Sequence, residues 1–190
     1  MSAIACHRSP SCDGGSAARG RRCALRQMVS SKGSQPPNAE RRLRELGIEL
    51  APPPPTPFGA YVEAVQTGNL LFLSGMLPAI GHESKFIGRL GKELDANAGR
   101  EAVRIAALNV LSAAKQKLRS LNKVTHVVRR CVYLATDGDS FDQPKVADAA
   151  SELFRDVFGE DKTSVRVVLG VASLPLGMPL AVEVILEVEA

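Results

Sequence analysis

The sequence predicts an α+β protein in which helices pack on one face of a single β-sheet. Two kinds of pattern favour this class: stretches with the apolar spacing of a helix, and shorter runs with the alternation of a strand. Taken in order, the elements run helix, two strands, helix, strand, helix, two strands. Because strands occur in pairs as well as singly, we expect one sheet with the helices gathered on one side.

The chain begins with an extension that we expect to lie outside this domain. Residues 1–37 are rich in Arg and Ser and nearly free of acidic residues, which predicts disorder. Such a composition resembles an organelle transit peptide. The alternatives are a plain disordered extension, or translation that normally starts at Met28. A single domain is predicted over residues 38–190, and residues 38–57 provide its short helix and Pro-rich lead-in.

The first elements are a short helix and a strand pair. Asn38 is a suitable N-cap for a helix over residues 39–46, which Gly47 closes. Strands are predicted over residues 61–67 and 70–74, joined by a tight Gly68-Asn69 turn. The second strand is expected to end at Gly75, and the loop that follows over residues 81–94 leaves room for a short strand.

The second half of the chain contains two long helices and three strands. A helix is predicted over residues 98–121, because apolar side chains recur at helical spacing: Val103, Ala106, Ala107, Val110, Ala114, Leu118 and Leu121. The strand over 124–136 is expected to point Val128, Val132 and Leu134 to one side. A helix over 144–158 ends at Gly159, and the last strands cover 164–171 and 180–188.

The last strand has apolar residues on both of its sides. Val182, Val184, Leu186 and Val188 alternate with Ala181, Glu183, Ile185 and Glu187. Helices are expected to cover only one side, and no sequence remains to cover the other. We therefore predict an oligomer in which a second subunit covers it.

Composition and charge limit the kinds of partner. Residues 1–44 carry nine Lys/Arg and two Asp/Glu, which leaves 15 Lys/Arg and 18 Asp/Glu for the remainder. The basic excess belongs to the extension, so the domain is not expected to bind nucleic acid. The chain also lacks the run of about 20 apolar residues that a membrane helix requires, so no membrane partner is expected.

The common catalytic templates are absent from the sequence. It has no GxSxG, Walker A, GxGxxG or HExxH motif, and its three histidines are scattered. The four cysteines fit neither a zinc site nor a redox pair, which favours a reducing compartment such as the cytoplasm. Cys131, the cysteine of the domain, is expected to be a small core residue. No metal site is predicted.

Arg166 is the strongest candidate for a functional residue, because a charge within an apolar strand requires a partner. If no carboxylate of the protein supplies it, a carboxylate ligand can. Tyr61, Ser74-Gly75 and Glu183 are the other candidates. Taken singly, each is more simply a strand tyrosine, a strand end or a surface carboxylate.

Two motifs together resemble the signatures of the Rid (YjgF) family. The first runs from Gly59 through Tyr61 to the Ser-Gly-Met-Leu-Pro of residues 74–78. The second begins at Arg166, continues to Leu174-Pro175 and ends in the Val-Glu-Val of residues 182–184. The resemblance covers about residues 50–189.

The resemblance implies a chorismate-mutase-like fold and a homotrimer with ligand clefts between subunits. It also implies hydrolysis of 2-imino or 2-enamino acids to 2-keto acids and ammonia without a cofactor. In that reaction Arg166 would clamp the substrate carboxylate and Glu183 would place the attacking water. Tyr61, Ser74 and Gly75 would line the cleft, with Asp148 and the backbone of Val168 nearby.

Departures from the family pattern leave other functions open. Asp148 stands where the family has an asparagine, Met76 and Val168 replace common family residues, and the segment before Glu183 is about two residues longer. One alternative is a non-catalytic or regulatory protein that binds small carboxylates. Another is the ribonuclease or translation-inhibitor activity attributed to some members, which the acidic domain disfavours.

Overall fold

The structure is a computed structural model and describes residues 38–50, 57–81, 83–138 and 142–189. The extension predicted over residues 1–37 lies outside these ranges, as do residues 51–56 of the Pro-rich lead-in. None of the described helices is long and apolar enough to cross a membrane.

Five strands form the main sheet in the order β1-β2-β7-β5-β6. Their bounds are β1 Ala64–Thr67, β2 Leu70–Met76, β5 Val124–Ala135, β6 Val165–Val171 and β7 Leu180–Val188. Two short strands, β3 Ala79–Ile80 and β4 Glu83–Ser84, pair separately. β5 and β6 pair in parallel and the other neighbours are antiparallel, because the chain crosses through a helix between β5 and β6. β6 lies at an edge of the sheet.

Within the described residues, three α-helices accompany the sheet: α1 Ala39–Glu45, α2 Ala96–Leu118 and α3 Gln143–Phe158. The predicted N-cap of α1 is confirmed, since Asn38 Oδ1 accepts a 2.8 Å hydrogen bond from the Arg41 amide. α2 begins two residues earlier than predicted because Asp95 caps it. It ends at Leu118, where Arg119 adopts a positive φ of 69°.

The buried core lies between the sheet and the α2–α3 pair. Val182, Val184 and Leu186 of β7 are 0 % exposed, and the whole apolar stripe predicted for α2 belongs to the same core. The alternation along β7 is therefore confirmed. Because odd-numbered β7 residues point the other way, Glu183 and Ile185 lie on the face without helices.

One strand departs from simple alternation. Val132 and Leu134 of β5 are fully buried as predicted, but Val128 is 39 % exposed. The pairing of β5 with β7 shifts register between Val127 and Arg129, so Val127 takes the inward position. The prediction for Val128 was wrong because a bulge resets which residues point inward.

The second face of the sheet carries large apolar side chains that no described element covers. Phe72, Val165 and Leu169 point to this face in the strand registers and are 40 %, 69 % and 47 % exposed. Exposed apolar side chains on one face of a sheet are typical of protein–protein contacts, and exposed Arg129 lies between Ile185 and Val165 in the same row. The expectation of a covering subunit stays a prediction.

Candidate functional site

Four of the predicted site residues line one cleft on the face without helices. Tyr61, Ser74, Gly75 and Glu183 border an open cavity of about 400 Å³, which falls within the roughly 300–1,000 Å³ typical of small-molecule sites. The remaining lining side chains are largely apolar: Val62, Val65, Phe72 and Leu73. We call this the carboxylate cleft, after Glu183.

A bulge in β2 shapes the floor of the carboxylate cleft. The pairing of β2 with β7 shifts register between Leu73 and Met76, and Ser74 and Gly75 occupy the shift. Ser74 donates two hydrogen bonds to the segment before β1, from Oγ to the Val62 carbonyl at 2.8 Å and from its amide to the Glu63 carbonyl at 2.9 Å. The strand therefore continues through Gly75 instead of ending there as predicted.

Tyr61 precedes the first strand instead of belonging to it. β1 begins at Ala64, three residues later than predicted, and Tyr61 lies in a bend with 49 % exposure. Its ring is free of the strand pairing and borders the carboxylate cleft. The structure places Tyr61 at the cleft, but the prediction that Tyr61 belongs to the first strand was wrong.

Glu183 is held by a tyrosine that the sequence analysis did not single out. Tyr133 of β5 donates a hydrogen bond from its hydroxyl to Glu183 Oε2 at 3.0 Å. This bond to a carboxylate, together with burial and the charge of Glu183, raises the pKa of Tyr133, so the hydroxyl remains a donor near neutral pH. One carboxylate oxygen is thereby fixed, and Oε1 remains to meet a water or a ligand.

Glu63 is a second acidic residue that the sequence analysis missed. It borders a smaller recess beside Tyr61, Ser74 and Gly75. Burial raises the pKa of its carboxyl group, so the protonated form is favoured more than in an exposed glutamate. Glu63 lies in the bend before β1, where strand alternation gives no signal.

Arg166 lies on the other face of the sheet, beside α3. Its guanidinium donates from Nη1 to Asp148 Oδ1 in an ion pair and to Ser151 Oγ at 3.3 Å. The side chain is 29 % exposed and that of Asp148 is 45 % exposed, so the pair opens to solvent at the edge of the sheet. A carboxylate of the protein itself thus supplies the partner that the sequence analysis required.

The strand registers separate Arg166 from Glu183. Arg166 pairs with Arg130 and Arg130 with Val184, whose side chain is buried under the helices. Glu183, one residue away on β7, points to the opposite face, and β5 lies between the two strands. Two strand spacings amount to about 10 Å before the difference in face is added. A single chain therefore does not bring the two predicted catalytic groups together.

Arg130 was not among the predicted residues, although the same reasoning applies to it. It is 4 % exposed on the helix face, and its guanidinium carbon lies 6.0 Å from the centre of the Phe154 ring. Burial, followed by the charge of Arg166, lowers the pKa of Arg130 to about 10, so it stays cationic near neutral pH. The signal was Arg129-Arg130 within a strand, where alternation turns one of the two arginines inward.

Val168 contributes no polar group to either place. Its side chain points to the helix face and is partly buried against the core. A role through its backbone, as the resemblance implies, stays a prediction.

Comparison with known proteins places the fold. The model of the family described as "YjgF/chorismate mutase-like, putative endoribonuclease" matches residues 40–188. This chain belongs to the Rid (YjgF) family. Protein TCP17 of Trypanosoma cruzi is 36% identical to it over 146 residues, which is 76% of this chain and 91% of that protein.

Two solved structures share the fold of this chain. A structure from Shewanella oneidensis, described as a "putative endoribonuclease", has a TM-score of 0.75 at 27% identity and covers 80% of this chain and 99% of its own. A protein from Agrobacterium tumefaciens has a TM-score of 0.71 at 30% identity, covering 80% and 94%. The chorismate-mutase-like α+β fold expected from the sequence is confirmed.

Proposed function

We propose that this Rid-family protein is a cofactor-free deaminase that hydrolyses 2-imino or 2-enamino acids in a site shared between two subunits of a homotrimer. One observation carries the proposal. The carboxylate cleft with Glu183 and the guanidinium of Arg166 lie on opposite faces of one chain's sheet, and no described element covers the face that carries the cleft. A neighbouring subunit that covers this face can bring its own Arg166 to the cleft.

The chemistry requires one anchored carboxylate and one placed water. A guanidinium binds a carboxylate through a planar fork, which fixes the orientation of the neighbouring C=N carbon. Glu183 Oε1 accepts a proton from water while the water oxygen bonds to that carbon and the C=N electron pair moves to nitrogen. The proton held by Glu183 passes to this nitrogen, which gives a neutral carbinolamine. Glu183 then carries the hydroxyl proton of the carbinolamine to the amino nitrogen as the C=O bond forms. The C–N bond breaks with its electron pair on the departing ammonia, and the 2-keto acid and the free carboxylate of Glu183 remain.

Positioning alone can account for a useful acceleration. Imines of this kind react with water without a catalyst, and fixing the two reactants next to each other removes much of the entropic barrier. Tyr61, Val65 and Phe72 border the open cleft, and a neighbouring subunit that covers them would limit the water around the reacting carbon.

A second candidate function is carriage or sensing of a small carboxylate without turnover. It is favoured by the Arg166–Asp148 ion pair, since a ligand carboxylate must share Arg166 with an existing partner. The two functions differ in what happens after binding. Both predict affinity for 2-keto acids, and only the first predicts faster imine loss.

The deciding experiment follows 2-iminopropanoate made in the reaction vessel by an amino-acid oxidase. We expect the purified protein to accelerate release of 2-ketopropanoate and ammonia above the rate in buffer. Binding of 2-ketobutyrate, measured by calorimetry in parallel, separates the alternatives. Binding without acceleration supports the carrier, and RNA cleavage that survives stringent purification, with neither of the others, would revive the ribonuclease function.

Replacing Tyr133 by Phe tests the placement of Glu183. The change keeps the ring and removes only the hydroxyl that donates to Glu183 Oε2. Because hydrogen bonds to charged groups contribute about 1.5–3 kcal/mol, we expect kcat for imine hydrolysis to fall by about tenfold or more. The dissociation constant of 2-ketobutyrate should change little, since its carboxylate binds elsewhere. An unchanged kcat would show that the hydroxyl does not position the carboxylate.

A further inference from the structure

Arg130 and Arg166 form a pair of neighbouring cations around one carboxylate. They face each other in the parallel register of β5 and β6, and both lie on the helix face. Asp148 of α3 forms an ion pair with Arg166. The negative charge of Asp148 also raises the pKa of Arg130, whereas the positive charge of Arg166 lowers it. These three side chains are called here the arginine cluster, and their summed formal charge is positive.

Arg130 makes little sense as a purely structural residue. It is 4 % exposed, and its Nε has no hydrogen-bond partner among the described residues. A buried, incompletely paired guanidinium is costly, and an apolar residue of similar size in such a place is often neutral or stabilising. Packing against Phe154 accounts for the position of the side chain but not for its charge.

Without Arg130, the charges of Arg166 and Asp148 would cancel, and the site would not attract an anion. Asp148 alone would neutralise Arg166 and would lie beside any carboxylate that approached it. Two carboxylates in contact with the same guanidinium repel each other, and the solvent that reaches this pair weakens the repulsion without removing it. A second cation one strand away offsets Asp148 and leaves the attraction of Arg166 available.

We propose that Arg130 is a positioning residue that offsets Asp148, so that Arg166 can bind the carboxylate of a monoanionic 2-keto or 2-imino acid. This inference rests on the proposed function for the identity of the ligand, although it concerns binding and not turnover. It also gives a role to Asp148, which departs from the family asparagine. In this chain the buried arginine and the acidic replacement act as a matched pair.

Calorimetric titration with 2-ketobutyrate tests the pairing through four proteins: wild type, Arg130→Met, Asp148→Asn and the double variant. Arg130→Met is expected to weaken binding by about tenfold or more, because one nearby positive charge is lost. Asp148→Asn should bind at least as tightly as wild type. The double variant should return to within a few-fold of wild type, since neither half of the charge pair remains.

A neutral ligand distinguishes the electrostatic role of Arg130 from a merely structural one. The amide of 2-ketobutyrate has no carboxylate, so its weak affinity should be the same in Arg130→Met and wild type, whereas misfolding would lower both affinities. The inference is overturned if Arg130→Met binds 2-ketobutyrate normally, if the double variant stays as weak as Arg130→Met, or if wild type does not bind the keto acid. Wild-type binding with the expected pattern but without imine hydrolysis would sustain this inference and reject the proposed deaminase.

Discussion

Mixing chains that carry Arg166→Ala with chains that carry Glu183→Gln is expected to restore imine hydrolysis that neither variant supports alone. In a symmetric trimer each shared site takes its arginine from one chain and its glutamate from the next. Random assortment of an equal mixture then leaves about a quarter of the sites with both groups intact. The opposite-face placement of the two residues in one chain is the structural reason for this expectation.

Each variant alone should lose most of the activity. Arg166→Ala removes the charge-assisted contacts to the substrate carboxylate, and Glu183→Gln removes the group that accepts a proton from water. We expect each loss to be about a hundredfold in kcat/KM, as is common for groups that orient or deprotonate a reactant. Initial rates of imine loss, taken before and after subunit exchange by mild denaturation and refolding, measure both the losses and the recovery.

The matched control differs from the test mixture only in that neither chain carries an intact Arg166. Chains with Arg166→Ala are mixed with chains carrying both Arg166→Ala and Glu183→Gln, and no activity should return. Exchange itself is verified with a tagged wild-type chain. Recovery in the test mixture that is no greater than in this control would reject a site shared between subunits.

Leu186→Ala is expected to lower the free energy of unfolding by about 2–5 kcal/mol, the range for removing a fully buried leucine side chain. Leu186 of β7 is 0 % exposed and belongs to the core between the sheet and the helices. The cavity left behind cannot close readily, because β7 is paired on both sides by β2 and β5. Urea unfolding followed by circular dichroism measures the change.

Leu186→Met serves as the volume-conserving control and should cost less than about 1.5 kcal/mol. If both substitutions lower the free energy of unfolding by similar amounts, the shape of the side chain matters more than the volume that it fills. A loss below about 1 kcal/mol for Leu186→Ala would contradict the placement of this residue in the main core.

The elements of the fold could largely be predicted from the sequence, because their periodicities are regular. The alternation of β7 and the stripe of α2 identified the residues that the structure buries. Two departures involved bulges. The register shifts in β2 and β5 changed the end of one strand and turned Val128 outward, and alternation alone cannot reveal an inserted residue.

The candidate site was predictable only in part, since its residues were identified singly while their grouping depends on strand order. Tyr61, Ser74, Gly75 and Glu183 do share a cleft. The parallel β5–β6 pair, which places Arg130 beside Arg166, could not be inferred from local spacing. Asp148 was noted as unusual, but its ion pair with Arg166 follows from the packing of α3 on β6.

The position of β5 between β7 and β6 has a consequence for how this protein can change over time. Substitutions near Arg166 act on one side of the sheet and substitutions near Glu183 on the other, with no contact shared between the two side chains. Stability effects at such separated positions in one chain add nearly independently. Either side of the sheet can therefore accept substitutions without altering what substitutions on the other side cost in free energy of unfolding.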